Sequence, residues 1–121
     1  CQQRGIKIKW LQPFEEPTFI QKSVTCNSET WRQRYLKAKD YLTTTIRSAP
    51  ESLGLPPKGI DPYERCNLWL LSTALSYGIT KVHFICLWDG GGGDGPGGTA
   101  HMYKEVEKRT GQATWIDMRT F

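Results

Sequence analysis

Between Trp88 and Ala100 the chain reads Asp89-Gly90-Gly91-Gly92-Gly93-Asp94-Gly95-Pro96-Gly97-Gly98-Thr99, with seven glycines among the nine residues Gly90 to Gly98. Each glycine forgoes about 0.4–1 kcal/mol that alanine would supply wherever the backbone allows it, so the run sacrifices roughly 3–7 kcal/mol. That cost makes sense where the backbone must turn left-handed and let a ligand come close, because a Cβ would block the approach. The amides of Gly98, Thr99, Ala100 and His101 then sit at a helix start, where unpaired N–H groups and the helix dipole favour an anion. Phosphate is the expected ligand group. Gly95, Gly97, Gly98 and Thr99 are its candidate contacts, with Gly90 to Gly93 acting as slack and the Thr99 hydroxyl serving as cap or donor. Asp89 and Asp94 oppose a phosphate, so they either point outward or hold Mg²⁺ or ribose hydroxyls beside it.

Other readings of the same run compete. A flexible linker uses glycine equally well, but this run is flanked directly by a strand and a helix and contains the rigid Pro96. A Walker A loop needs lysine followed by serine or threonine after its last glycine, and Gly98-Thr99 has no lysine. The dinucleotide fingerprint asks for a tighter G-x-G-x-x-G turn and an acid roughly 20 residues on; Asp117 stands at that distance, but the loop is longer and carries Pro96.

Positioning such a loop requires alternating strands and helices. Ile6 to Leu11 alternates apolar and polar and stops at Pro13, which predicts an edge strand. A short helix is expected from Pro17 to Val24. A longer one is expected from Ser28, as its cap, to Leu42, with Trp31, Tyr35, Ala38 and Leu42 facing a sheet. Thr43 to Ile46 predicts a second strand. Ala49 to Ile60 is expected to be loop, broken by Pro50, Pro56 and Pro57. Asp61, Pro62 and Glu64 form a helix start with capping-box spacing, and that helix should run to Tyr77 and end at Gly78. Lys81 to Trp88 is nearly continuous apolar β-former, the pattern of a central strand covered on both faces. Thr99 to Thr110 reads as a helix closed by Gly111, and Ala113 to Ile116 as a last strand. The order predicts one α/β domain over residues 1–121: a three-layer, Rossmann-like, mainly parallel sheet of about four strands with helices on both faces.

Bulk properties narrow the function. The 121 residues carry a net charge of +4 with dispersed lysines and arginines, where a nucleic-acid binder would concentrate them. No apolar stretch approaches the roughly 18 residues a membrane helix needs, and no secretory signal is visible, so a cytoplasmic domain without nucleic-acid or membrane partners is expected. The cysteines at 1, 26, 66 and 86 form no C-x-x-C pair; Cys66 and Cys86 read as small buried hydrophobes.

Leu87-Trp88-Asp89-Gly90 followed by Asp94-Gly95-Pro96-Gly97-Gly98-Thr99 resembles the C-terminal signature of the SLOG superfamily, Rossmann-like nucleotide-binding domains related to lonely-guy and DNA-processing proteins. Gly5 to Val24 and Tyr63 to Asn67 are similar to a bacterial and cyanobacterial branch found beside signalling domains. The resemblance implies a sensor that binds a nucleotide or nucleotide-derived signal and passes its occupancy to an attached effector domain. It requires no cofactor, although Mg²⁺ could accompany the nucleotide. Such domains begin with a further strand and glycine-bearing loop, so the chain is expected to be a fragment lacking that first strand. The hydrolases of the superfamily carry P-G-G-x-G-T-x-x-E; here Pro96-Gly97-Gly98-Thr99 is followed three residues later by Met102, which disfavours a nucleoside-monophosphate N-glycosidase, although Glu105 lies one turn on. A ligand-free oligomerisation module is the third reading.

The remaining candidates carry ordinary explanations beside functional ones. Tyr63 and Asn67 share one helix face, and the asparagine matching Asn67 in the resembling domains faces the pocket, so both are candidate ligand contacts; a structural hydrogen bond is the alternative. His101 is expected to face solvent and His83 to be a satisfied core residue. No Ser-His-Asp or Cys-His-Asp set follows from spacing.

Overall fold

The computed structural model describes residues 4–25, 28–41, 46–90 and 98–120. The chain is mixed α/β and divides into two compact units, Cys1–Pro56 and Pro57–Phe121.

In the first unit, β1 (Leu11–Gln12) pairs in parallel with β2 (Arg47–Ser48), Leu11 opposite Arg47 and Gln12 opposite Ser48. Between them lie α1 (Glu16–Phe19), a π turn over Ile20–Val24, and α2 (Glu29–Asp40). The strand expected over Ile6 to Leu11 is thus confined to its last residue and Gln12. Alternation without a long partner does not hold a ladder. The expected strand at 43–46 falls largely outside the described residues, and the observed pairing begins at Arg47, whose amide donates to the Trp10 carbonyl at 3.0 Å. Ser28 precedes α2 without a side-chain capping bond, and Trp31 is half exposed, so among the described residues of the expected stripe only Tyr35 is buried; Leu42 lies outside them. Pro50 does not prevent a helix. It occupies the first turn of α3 (Ala49–Leu53), where proline's missing N–H costs nothing, and Ser48 caps that turn by accepting from the Glu51 amide.

In the second unit, α4 (Pro62–Leu75) starts where the sequence places it, with Asp61 accepting from the Tyr63 amide at 2.8 Å. It ends two residues before Tyr77, at Leu75. After a 3₁₀ turn at Ile79–Lys81 comes β3 (Phe84–Trp88), and then α5 (Thr99–Thr110), closed by Gly111 in the left-handed conformation at φ 67°. β4 (Ala113–Asp117) returns parallel to β3 in a register that sets Phe84 opposite Ala113 and Trp88 opposite Asp117. Leu71 of α4 packs with Met102 and Val106 of α5 to form the buried core, with Leu75 and Phe84 against it.

Within its own unit, β3 is covered on one face and not on the two that the sequence predicts. Cys86 is buried on one face, but Ile85 and Leu87, on the other, are 65% and 59% exposed. A continuous apolar run suits a strand buried on one side or on two, and among the described residues β3 has β4 as its one partner. His83 likewise lies exposed rather than in the core, its Nε2 2.7 Å from Thr114 Oγ1. Cys66 and Cys86 are free, buried thiols, as their apolar surroundings in the sequence suggest. No helix among the described residues is long and apolar enough to cross a membrane.

Candidate functional site

The site grows from the strand–loop–helix–strand unit of β3, α5 and β4. β3 ends at Trp88, α5 begins at Thr99, and Trp88 stacks at a tilt on Tyr103 of α5 with ring centroids 6.0 Å apart. That contact brings the N-terminal half of α5 alongside the carboxyl end of β3. In open α/β sheets this is the edge where ligands bind.

Helix α5 opens without a side-chain cap. Gly98 is the N-cap residue, and Thr99 is the first helical residue, so the expected capping role of Thr99 is not realised. The first closed bond of the helix runs from the Met102 amide to the Gly98 carbonyl at 3.2 Å. Helix geometry leaves the preceding amides of Thr99, Ala100 and His101 without intrahelical acceptors, and no described side chain takes their place. Asp61 at α4 shows the contrast, since its carboxylate already accepts there. Gly95 and Gly97 lie outside the described residues.

Gly90 begins the loop at φ 84°, a conformation that L side chains avoid. A Cβ there would also stand 3.0 Å from Trp115 Cζ2 and 3.6 Å from Arg119 Nη2. Gly90 therefore lets the Trp115 ring lie over the start of the loop. That ring is fixed by its indole N–H, which donates to the Trp88 carbonyl at 2.8 Å, and by a 5.4 Å tilted contact with the Trp88 ring. Trp115 nevertheless remains 41% exposed, leaving indole surface open beside the loop.

Among the described residues, charge at this edge comes from Asp89, Asp117 and Arg119. The Arg119 Nε donates to both carboxylate oxygens of Asp117 at 2.9 and 3.2 Å, and Nη2 donates to Oδ2 at 2.7 Å. The Arg119 side chain, then its backbone amide, hold the Asp117 carboxyl below the usual carboxylate range. Asp117 in turn, with a smaller contribution from Asp89, raises the Arg119 guanidinium further above neutrality. Two carboxylates thus face one guanidinium. An anion at this edge would be drawn by the α5 amides more than by net charge.

Asp117, the acid at dinucleotide-like spacing, ends β4 as that fold would require, but both its oxygens are occupied by Arg119. Composition and spacing did not single out Trp115 or Arg119. The signal available was their position at the end of the strand that follows the loop–helix segment. Among the described residues no three His, Cys, Asp or Glu side chains converge as a metal site would need.

Tyr63, Asn67, Leu71 and Leu75 recur every four residues along α4, so Tyr63 and Asn67 continue the stripe whose Leu71 enters the core. Tyr63 is 42% exposed and Asn67 half-buried. The described core contacts join α4 to α5 through Leu71, not through these two residues. His101 is half-buried in the first turn of α5. Met102, where the hydrolases of the resembling superfamily place glutamate, is buried against Leu71 and Val106. Glu105 is engaged with Arg109 one turn along the helix at 3.4 Å. Compared with known proteins, the chain matches no family model, no curated protein and no solved structure.

Proposed function

We propose that this chain is a nucleotide-binding sensor domain in which a phosphate rests on the amides of Gly98, Thr99 and Ala100 at the start of α5. The observation that carries the reading is the parallel β3–loop–α5–β4 unit, whose uncapped helix start follows a glycine run at the carboxyl end of a strand. The exposed face of Trp115 suits a nucleobase, and Asp89 and Arg119 suit ribose hydroxyls and a second phosphate. Gly95, Gly97, Tyr63 and Asn67 complete the contacts that the SLOG resemblance implies. In this proposal the two parallel strand pairs belong to a three-layer Rossmann-like arrangement, and ligand occupancy is relayed to an attached effector domain in a cytoplasmic bacterial protein.

The hydrolase alternative is disfavoured because a side chain at position 102 enters the core rather than the loop. A thermal-shift panel of nucleoside mono-, di- and triphosphates, cyclic dinucleotides and inorganic phosphate, with product analysis, tests the proposal. Stabilisation by a nucleotide without release of free base is expected; at 100 times Kd a specific ligand adds about 2.7 kcal/mol. Stabilisation by none of them rejects the sensor, and free base in the product would establish the hydrolase instead.

A further inference from the structure

The unit of residues 1–56 holds a cleft of about 440 Å³. That lies within the roughly 300–1,000 Å³ typical of small-molecule sites. Trp10, Phe19, Trp31 and Tyr35 line it, with Ser23 and Arg34 as its polar components. Tyr35 is the buried anchor, edge-on to Trp10 at 5.1 Å and tilted against Phe19 at 5.8 Å. Its hydroxyl donates to the buried Gln12 Oε1 at 3.2 Å, so these two buried polar groups satisfy one another. Burial, and then the charge of Glu16, raises the Tyr35 phenol above its ordinary range and keeps it neutral. A ligand seated there meets ring faces and edges, and the Tyr35 phenol itself stays uncharged.

Among the lining residues, Arg34 supplies the charge. The Arg34 guanidinium stands 4.9 Å over the Trp31 ring and makes no ion pair with any described residue. Stacking on the indole restrains it, which lowers the entropy lost when it binds an anion. The acid that acts on Tyr35, Glu16, is itself engaged by Lys39, so it does not cancel Arg34. A second cation, Lys22, lies 5.1 Å over the Phe14 ring on the same unit.

We propose that this cleft is a binding site for a flat aromatic molecule bearing one anionic group, its rings among Trp10, Phe19 and Trp31 and its anion on Arg34. The site is independent of the nucleotide reading, since it uses no residue of β3, α5 or β4.

Titrating the ¹⁵N-labelled full chain with 2-naphthoate and with neutral 2-naphthalenemethanol tests it, using the indole N–H signals of Trp10 and Trp31, assigned from Trp10→Phe and Trp31→Phe. The naphthoate should move both signals and bind about three- to tenfold more tightly than the alcohol, the range expected of one exposed charge-assisted contact. Arg34→Gln should abolish that preference, whereas Arg34→Lys should retain part of it. No movement of either indole signal, equal affinity for the two probes, or an undiminished preference in folded Arg34→Gln protein would each overturn the proposal.

Discussion

The two parallel strand pairs use their residues differently. β1 and β2 contribute two residues each and are separated by a π turn and two helices, while β3 and β4 contribute five each and are separated by one loop and one helix. The first unit is held by interlocked rings around Tyr35, and the second by aliphatic side chains between two helices and a strand. Aromatic contacts are directional and leave clefts where rings do not tile. Aliphatic contacts close up, and here they leave the helix start and strand ends to face outward. On the two proposals, the second unit would offer a backbone-built anion site and the first a ring-lined one.

The largest test of this contrast is Leu71→Ala. Leu71 is 2% exposed and bridges α4 to α5, so its truncation should cost about 2–5 kcal/mol, read as a lower urea midpoint with unchanged slope. A loss below about 1 kcal/mol would mean that the aliphatic core does not hold the second unit.

Next is the pH response of Cys66. Burial pushes its thiol up to about 11 from an ordinary value of 9.0. The folded state thus keeps a proton that the unfolded chain releases, so the contribution is complete below pH 9 and is lost as pH rises toward 11. The loss should stay below about 3 kcal/mol. Cys66→Ala should flatten the stability profile over that window. A profile that keeps its slope in the variant would place the cause elsewhere.

Gly90→Ala should cost about 1–2 kcal/mol, from the left-handed backbone and the 3.0 Å approach to Trp115, and should shift the Trp115 emission. In a Trp115→Val background the steric part should disappear and the backbone part remain. Equal costs in both backgrounds would show that the indole does not lie over the loop.

The same contrast explains what could be read from sequence. Helices α4 and α5 and strand β4 were legible because their signals are local: Asp61 and Pro62 start one helix, Gly111 ends another, and Ala113 opens the strand. The short pairing at Leu11–Gln12 and Arg47–Ser48 was not legible, since it depends on partners 36 residues apart in sequence. Pro50 misled because proline breaks a helix interior but fits its first turn, and only the Ser48 cap distinguishes the two. For β3 the strand was legible but its covering was not, because apolar continuity does not count the faces that are covered. At the candidate site, glycine content and spacing located the loop and Asp89. Trp115 and Arg119 were hidden because they join it through strand register and side-chain packing rather than proximity in sequence.

The most direct measurement is an amide ¹H–¹⁵N titration of the full chain with a nucleoside monophosphate. A phosphate seat at the start of α5 predicts saturable shifts at Gly98, Thr99, Ala100 and His101, together with the Trp115 indole N–H. Inorganic phosphate should move the four amides and leave the indole in place. Saturable nucleotide binding that leaves residues 98–101 unperturbed would contradict it.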